Sequence, residues 1–498
     1  MRQRTQRSAL LTALVALPLA TSCKVGPDYQ RPEVPLPDQW HQEVTDGLAE
    51  GESDLRTWWL VFEDPILEEL IDGAALGNLD LEIAAARVRE ARALRRVAEA
   101  DRMPTVDLAG QAGRGKTSAS GNAFGGQTSN SYQLGVGATW ELDVWGRVSR
   151  SIEAATADIQ QTEEALRDLL VLLYAEVALS YVDLRTSQAR FEYAAGNVAA
   201  QESTLQLVRD RFDAQLVAEL DVRQAEMNLY RTQSILPTLH FAAAEAAHRI
   251  AVLLGEEPGA VYALLTESTP IPDSERVIDA GIPADVLRRR PDIRQAERAL
   301  AAQTARIGVA EAELYPQFAL RGSFGWDALN SDDFLSSSSQ AWGISAPFKW
   351  NIFDRGRIKG DIAAHEARAD ALQSSYEQTI LLALEEVENS MVALTDERER
   401  VGYLQSSVTA AQQSVELVRT LYVQGLRDFQ PVLDAERTLA EQQDALASSQ
   451  GLVASDMIGL YRALGGGWDP ELPPPGETMP ATDETATDAE DDKDDSGA

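Results

Sequence analysis

Two long stretches of the chain carry apolar residues at coiled-coil steps. In the first, Leu166, Leu170, Leu173, Val177, Tyr181 and Leu184 follow one another at intervals of four, three, four, four and three. In the second, Ile380, Val387, Met391 and Leu394 hold matching places. The run 147–215 contains no proline and one glycine, Gly196, and 357–424 also lacks proline. At ~1.5 Å per residue each run predicts a helix roughly 100 Å long, against about 11–12 residues for an ordinary globular helix. Such a narrow seam over such a length predicts helices that pack on partner helices. Much of their remaining surface is Ala, Ser, Gln and Glu, which suits close packing with a wet face.

Before each long run the pattern changes to strict alternation. Tyr132, Leu134, Val136, Ala138, Trp140 and Leu142 fall on one face; Gln133, Gly135, Gly137, Thr139 and Glu141 fall on the other. Trp342, Ile344, Ala346, Phe348 and Trp350 oppose Gly343, Ser345 and Lys349. Val106, Leu108 and Gly110 oppose Asp107 and Gln111, and Phe318, Leu320 and Phe324 oppose Gln317 and Arg321. These patterns predict strands at 104–113, 132–142, 316–324 and 341–350. Length and alternation fit tilted transmembrane strands, with Trp140 and Trp350 placed for an interfacial girdle. They also fit a soluble sheet packed on helices. Four strands cannot close a membrane barrel, which needs at least about eight, and open edges are not tolerated in lipid. Insertion would therefore require oligomers: two copies supply about eight strands, three about twelve.

The two halves are copies of one unit. Trp140, Gly146 and Arg147 recur as Trp350, Gly356 and Arg357; Leu207-Val208-Arg209 recurs as Leu417-Val418-Arg419; Ala225-Glu226 recurs as Ala435-Glu436. These pairs lie 210 positions apart, and Ala98-Glu99-Ala100 with Pro104 recurs 212 positions on as Ala310-Glu311-Ala312 with Pro316. The organisation expected is a first repeat over 64–254 with a helix, two strands, the long helix 147–215 and a helix 219–254. A linker over 255–282 leads to a second repeat over 283–464, with its long helix at 357–424 and a last helix at 428–464. The fold class is mainly α with a small β part.

The ends add localisation. Residues 1–22 read as a secretory signal, with Arg2, Arg4 and Arg7 before the apolar run from Leu10 to Ala20. The only cysteine, Cys23, stands at the expected cleavage site and is a candidate lipid (palmitate) attachment point, although Ala20 occupies the position where a lipobox usually has Leu. Residues 23–63 then form an extended lipidated segment. No later stretch is apolar enough over about 20 residues to be a spanning helix. The net charge of -35 argues against a nucleic-acid partner, and the acidic end within 465–498 has the composition of a disordered tail. There are four histidines and six methionines, and no Gly-x-Ser-x-Gly, His-Glu-x-x-His or P-loop pattern. Neither an enzyme, a cofactor nor a metal site is expected.

Several motifs together resemble the outer-membrane factor family of tripartite efflux systems, the TolC/OprM/NodT-like lipoproteins. They are the segment Cys23-Lys24-Val25-Gly26-Pro27-Asp28-Tyr29 with Pro32, Trp58-Trp59 with Phe62, Asp64-Pro65 and Leu67, Arg290-Pro291-Asp292-Ile293, and Leu433-Asp434-Ala435-Glu436-Arg437 after Tyr422 and Gly425. The resemblance spans roughly Cys23 to Trp468. It implies a homotrimer whose helical barrel continues a twelve-stranded β-barrel. It also implies a lipid anchor in the outer membrane, a periplasmic adaptor and an inner-membrane pump of the resistance-nodulation-division type. A gate at the two helix turns is implied as well: Tyr422 and Arg427 would bond Asp221, Asp434 would narrow the bore, and Gln430 and Arg437 would stand beside it. Gln215 departs from the glycine usual in the first turn. The function implied is a passive exit duct for drugs or other small toxic compounds. Two other readings stay open, an exit duct for secreted proteins of type I systems and a periplasmic coiled-coil scaffold lipoprotein.

Overall fold

The structure is a computed structural model and describes residues 24–41, 48–49, 55–118, 120, 126–273, 278–279 and 283–468. Cys23, the expected signal segment 1–22 and the acidic end beyond 468 lie outside the described residues. The main helices are α1 (Pro65–Gly77), α2 (Leu79–Ala100), α3 (Arg147–Asp213), α4 (Glu219–Gln233), α5 (Leu236–Leu253), α6 (Pro291–Ala312), α7 (Arg357–Val423) and α8 (Gln430–Ala463), with short helical pieces at Tyr262–Leu265 and Pro283–Arg289. The strands of the main sheet are β1 (Thr105–Lys116), β2 (Thr128–Leu142), β3 (Gln317–Ala328), β4 (Gln340–Ser345) and β5 (Phe348–Lys349); Leu48–Ala49 and Ile278–Asp279 form a separate short parallel pair. Among the described residues no helix is long and apolar enough to cross a membrane.

The chain divides into two compact units. The first comprises 1–35, 87–164 and 292–381; the second comprises 36–86, 165–291 and 382–498.

The first unit holds an antiparallel meander in the order β1-β2-β3-β4, with β5 also on β3. Register places Leu108 opposite Val136, Val136 opposite Phe324 and Phe324 opposite Trp342 on one face. Asp107, Gly137, Ser323 and Gly343 form the matching row on the other. Repeat symmetry extends to pairing: Val106 faces Ala138, and their equivalents Phe318 and Phe348 face each other. It extends to the tryptophans as well. Trp140 Nε1 donates to Arg102 O at 2.9 Å, and Trp350 Nε1 donates to Leu314 O at 2.9 Å. The expected single strand 341–350 is interrupted. Pro347 has no N–H to give the ladder, so the strand breaks between Ser345 and Phe348, and Ala319 N donates to Pro347 O across the gap at 3.0 Å.

The N-terminal residues are strapped onto this unit. Val25 N donates to Trp145 O, and the buried Arg150 guanidinium donates to Val25 O at 3.1 Å, Gly26 O at 3.1 Å and Asp28 at 2.7 Å. Gly26 has φ +86°, and a Cβ there would lie 2.4 Å from Gly308 Cα. Only glycine satisfies both the left-handed backbone and the close approach.

The second unit is helical around an aromatic core. Trp58 stacks on Tyr461 at 5.4 Å and Trp59 meets Tyr174 edge-on at 4.9 Å. Asp64 caps α1, accepting from Ile66 N and Leu67 N, with Pro65 at the first helical position. Its other oxygen accepts from Tyr181 Oη at 2.7 Å. The expected single helix 219–254 is two helices, α4 and α5, separated by Ser234 and Ile235. Pro237 lies at the start of α5, where its missing N–H removes the bond that would carry the helix through.

Candidate gate at the helix turns

Both long helices end in the same motif. Gln215 N donates to Phe212 O and Leu216 N to Arg211 O; 210 residues on, Gly425 N donates to Tyr422 O and Leu426 N to Leu421 O. This is a Schellman ending, which needs a left-handed residue after the helix. Gly425 supplies it at φ +74°, and Gln215 adopts it at φ +60° without glycine's freedom.

The turns in the second unit are held by a cluster of Leu205, Val208, Val222, Ala225, Leu229, Tyr422, Phe429, Val432 and Leu433. Tyr422 is buried and its ring lies 5.4 Å from that of Phe429. Arg211 Nη1 donates to Tyr422 O at 2.7 Å and Val423 O at 3.2 Å, and its guanidinium carbon sits 4.7 Å over the Tyr422 ring. Arginine thus satisfies the carbonyls that a helix end leaves open and adds a cation–π contact. The Tyr422 hydroxyl is buried without a hydrogen-bond partner among the described residues. Burial raises its pKa, Arg211 offsets part of the rise, and Asp221 adds to it. Asp221 therefore stands near Tyr422, on the first turn of α4.

The remaining candidates divide. Gln430 Nε2 donates to Asp434 Oδ1 at 3.0 Å, and Arg437 stands 3.8 Å from the same oxygen, so these three share one face of α8. Arg427 does not join Asp221 within one chain. It lies beyond Gly425, is exposed, and has no ion pair or hydrogen bond among the described residues. The arginine that reaches Tyr422 is Arg211, which the sequence reading passed over; its place in the last turn of α3 is the only local signal.

A buried carboxylate was also unforeseen. Glu436 accepts from Thr204 Oγ1 at 2.6 Å and Asn228 Nδ2 at 3.4 Å. Burial pushes it above the usual carboxylate range, against the pull of Thr204, Arg419 and Asn228. Its repeat equivalent, Glu226, behaves oppositely: Arg209 and Arg223 hold it below that range.

Comparison with known proteins agrees with this architecture. The family described as outer membrane efflux protein matches the chain twice, over 70–256 and 282–466, once for each repeat. Nodulation protein T of Rhizobium leguminosarum bv. trifolii is 31% identical over 461 residues, covering 91% of this chain and 96% of its own. The toluene efflux pump outer membrane protein TtgI of Pseudomonas putida is 32% identical over 471 residues, covering 91% and 97%. The cation efflux system protein CusC of Escherichia coli O6:H1 is 31% identical over 462 residues, covering 92% and 98%. Among solved structures, the outer-membrane channel OprN superposes with a TM-score of 0.85 at 36% identity, covering 90% of this chain and all of that one.

The chain belongs to the outer membrane efflux protein family. It is an outer-membrane efflux channel component and not an enzyme.

Proposed function

We propose that three copies of this chain close one β-barrel of about twelve strands in the outer membrane, while α3, α7 and their partners wall a water-filled bore in the periplasm. Cys23 carries the lipid anchor. The duct is passive and completes a tripartite assembly with a periplasmic adaptor and an inner-membrane pump of the resistance-nodulation-division type. Its cargo is small toxic compounds, the class to which the toluene of one relative's name belongs.

The carrying observation is the sheet. Leu108, Trp342 and Ile344 are 72%, 76% and 75% exposed on its apolar face, and β1 and β4 are its edges. A soluble scaffold would bury that face. Lipid would cover it, provided every edge is paired.

The gate is assigned to the turns that carry Asp221, Tyr422 and Arg427, with Asp434 flanked by Gln430 and Arg437. Repeated Asp434 side chains in a narrow tube would focus a negative potential that favours cations. Planar-bilayer recording together with the native mass of the detergent-solubilised protein tests the reading. Discrete cation-selective conductance from a species of three chains supports it; a detergent-independent monomer without conductance refutes it.

A further inference from the structure

We propose that a pocket in the second unit, between α3, the end of α4 and α8, binds one neutral sugar residue. The juxtaposition that carries the proposal is a buried amide, Gln201, left without a hydrogen bond on the wall of a cavity of about 210 Å³.

The helix break between α4 and α5 opens this pocket. Asn197 Nδ2 on α3 donates to Gln443 Oε1 on α8 at 2.9 Å, and nearer the turns Thr204 Oγ1 donates to Glu436 at 2.6 Å. Between these two rungs the seam carries Gln201 and Ala440, and the small alanine leaves it unfilled. α4 stops alongside at Gln233, and the chain starts again with Pro237 in the first turn of α5. Asn228, Thr232 and Ile235 at that break form the third wall.

The lining is polar and unsatisfied. Gln201 is 3% exposed; its Oε1 is buried with no partner among the described residues, and its Nε2 donates to none of them. Arg437 Nε is buried and unpartnered as well. Asn228 Nδ2 donates to Glu436 at 3.4 Å, while its Oδ1 accepts nothing from the described residues. Two donors and two acceptors are therefore left over on one lining, and buried polar groups are normally hydrogen-bonded because leaving them unpaired is costly.

Charge selects the occupant. Arg190 is paired through two bonds with Asp444 at 2.8 and 3.1 Å, Arg231 lies 3.5 Å from Glu441, and Arg437 lies 3.8 Å from Asp434. Each guanidinium already has a carboxylate, so a charged ligand would be desolvated here without a counter-charge of its own. Hydroxyl groups donate and accept at once, which matches the mixed set left on the wall. Tyr193 and Ala194 add apolar surface for the C–H face of a ring. The cavity is several times the ~30 Å³ share of one water molecule, so a single bridging water does not fill it, whereas one sugar ring does.

The test is saturation-transfer NMR on the full chain, solubilised in a detergent without a sugar headgroup. Glucose is the probe, with glucuronate, glucosamine and glycine as charged or zwitterionic counterparts. The expected result is saturable transfer to glucose and a response about tenfold weaker to the other three. Gln201→Leu keeps the volume and removes both unpaired ends; it should weaken glucose binding about tenfold, the effect of one hydrogen bond, without lowering the melting temperature. Ala440→Phe fills the cavity and should abolish transfer. Maltotriose separates two sources of the same chemistry: transfer confined to one terminal ring marks the end of a glycan chain, and binding of glucose alone marks a free sugar. Absence of transfer to glucose and maltotriose, as for a pocket holding water only, overturns the proposal. Undiminished binding in both variants, or equal binding of the charged probes, overturns it too.

Discussion

Arg211 spans from the last turn of α3 to the last turn of α7, where it donates to the carbonyl of Tyr422 at 2.7 Å and lies against that residue's ring. One side chain thereby ties together the ends of the two longest helices. Arg211→Ala is expected to loosen both turns by about 1.5–3 kcal/mol, the range for a hydrogen bond to a charged group. Arg211→Lys keeps the charge but not the planar fork, and is expected to recover only part of the loss. Amide hydrogen exchange over 205–230 and 418–435 checks this; unchanged protection in Arg211→Ala would remove the tie.

Among the described residues Arg427 makes no hydrogen bond or ion pair, so its proposed role in the gate depends on contacts made in the assembly. Asp221→Ala combined with Arg427→Ala is expected to raise single-channel conductance or shorten the closed time. Exposed ion pairs are worth only about 0–1 kcal/mol each, so the shift per pair is at most about fivefold in the open-to-closed ratio. Unchanged conductance with unchanged closed time would contradict the assignment of these residues to the gate.

The strap that follows Cys23 is held by one buried cation. Arg150→Met is expected to leave Val25 O and Gly26 O without this donor and to cost about 1–3 kcal/mol, the range for a buried acceptor left unpaired. Gly26→Ala should act similarly, because its Cβ would strike Gly308. Limited proteolysis reads this directly: cleavage within 24–35 should accelerate in both variants while cleavage elsewhere does not.

Two carboxylates give the second unit a pH dependence. Asp456 is pushed up to about 6 by burial and by Glu397, and burial raises Glu436. A carboxyl with a raised folded-state pKa favours the fold when protonated, so its contribution is complete below its ordinary value and is lost as pH rises through the raised one. For Asp456 that window runs from 3.8 to about 6. Asp456→Asn is therefore expected to raise the melting temperature at pH 7.5 by a few degrees, about 1 kcal/mol, with the gain vanishing below pH ~4. Equal gain at both pH values would show that ionisation is not the cause.

The repeat, the long helices and the strand alternation were all legible because each is periodic. Residues such as Leu166 and Val136 announce their faces by spacing alone. Local exceptions were harder. Alternation continues past Pro347 to Trp350 and hides the break in β4, and helical composition runs across Ser234 and Pro237. Arg211 and Glu436 were not legible as partners of Tyr422, Thr204 and Asn228. Their environments are made where chain segments 211 and 232 residues apart meet, and no local pattern encodes that. Tyr422 and Asp434 were proposed for the gate through family resemblance and Arg437 through the charge around the turn, whereas Arg427 and Asp221 form no pair within a single chain.

The proposed channel has one sheet face in lipid and the other in water. Nitroxide labels placed singly at Trp342, Gly343, Ile344 and Ser345 in bilayer-reconstituted protein test this most directly, by the relative access of oxygen and of a water-soluble nickel complex. A two-residue period is expected, with Trp342 and Ile344 accessible to oxygen and Gly343 and Ser345 accessible to nickel. Uniform nickel access along the strand, or both reagents excluded from Trp342 and Ile344, would contradict it.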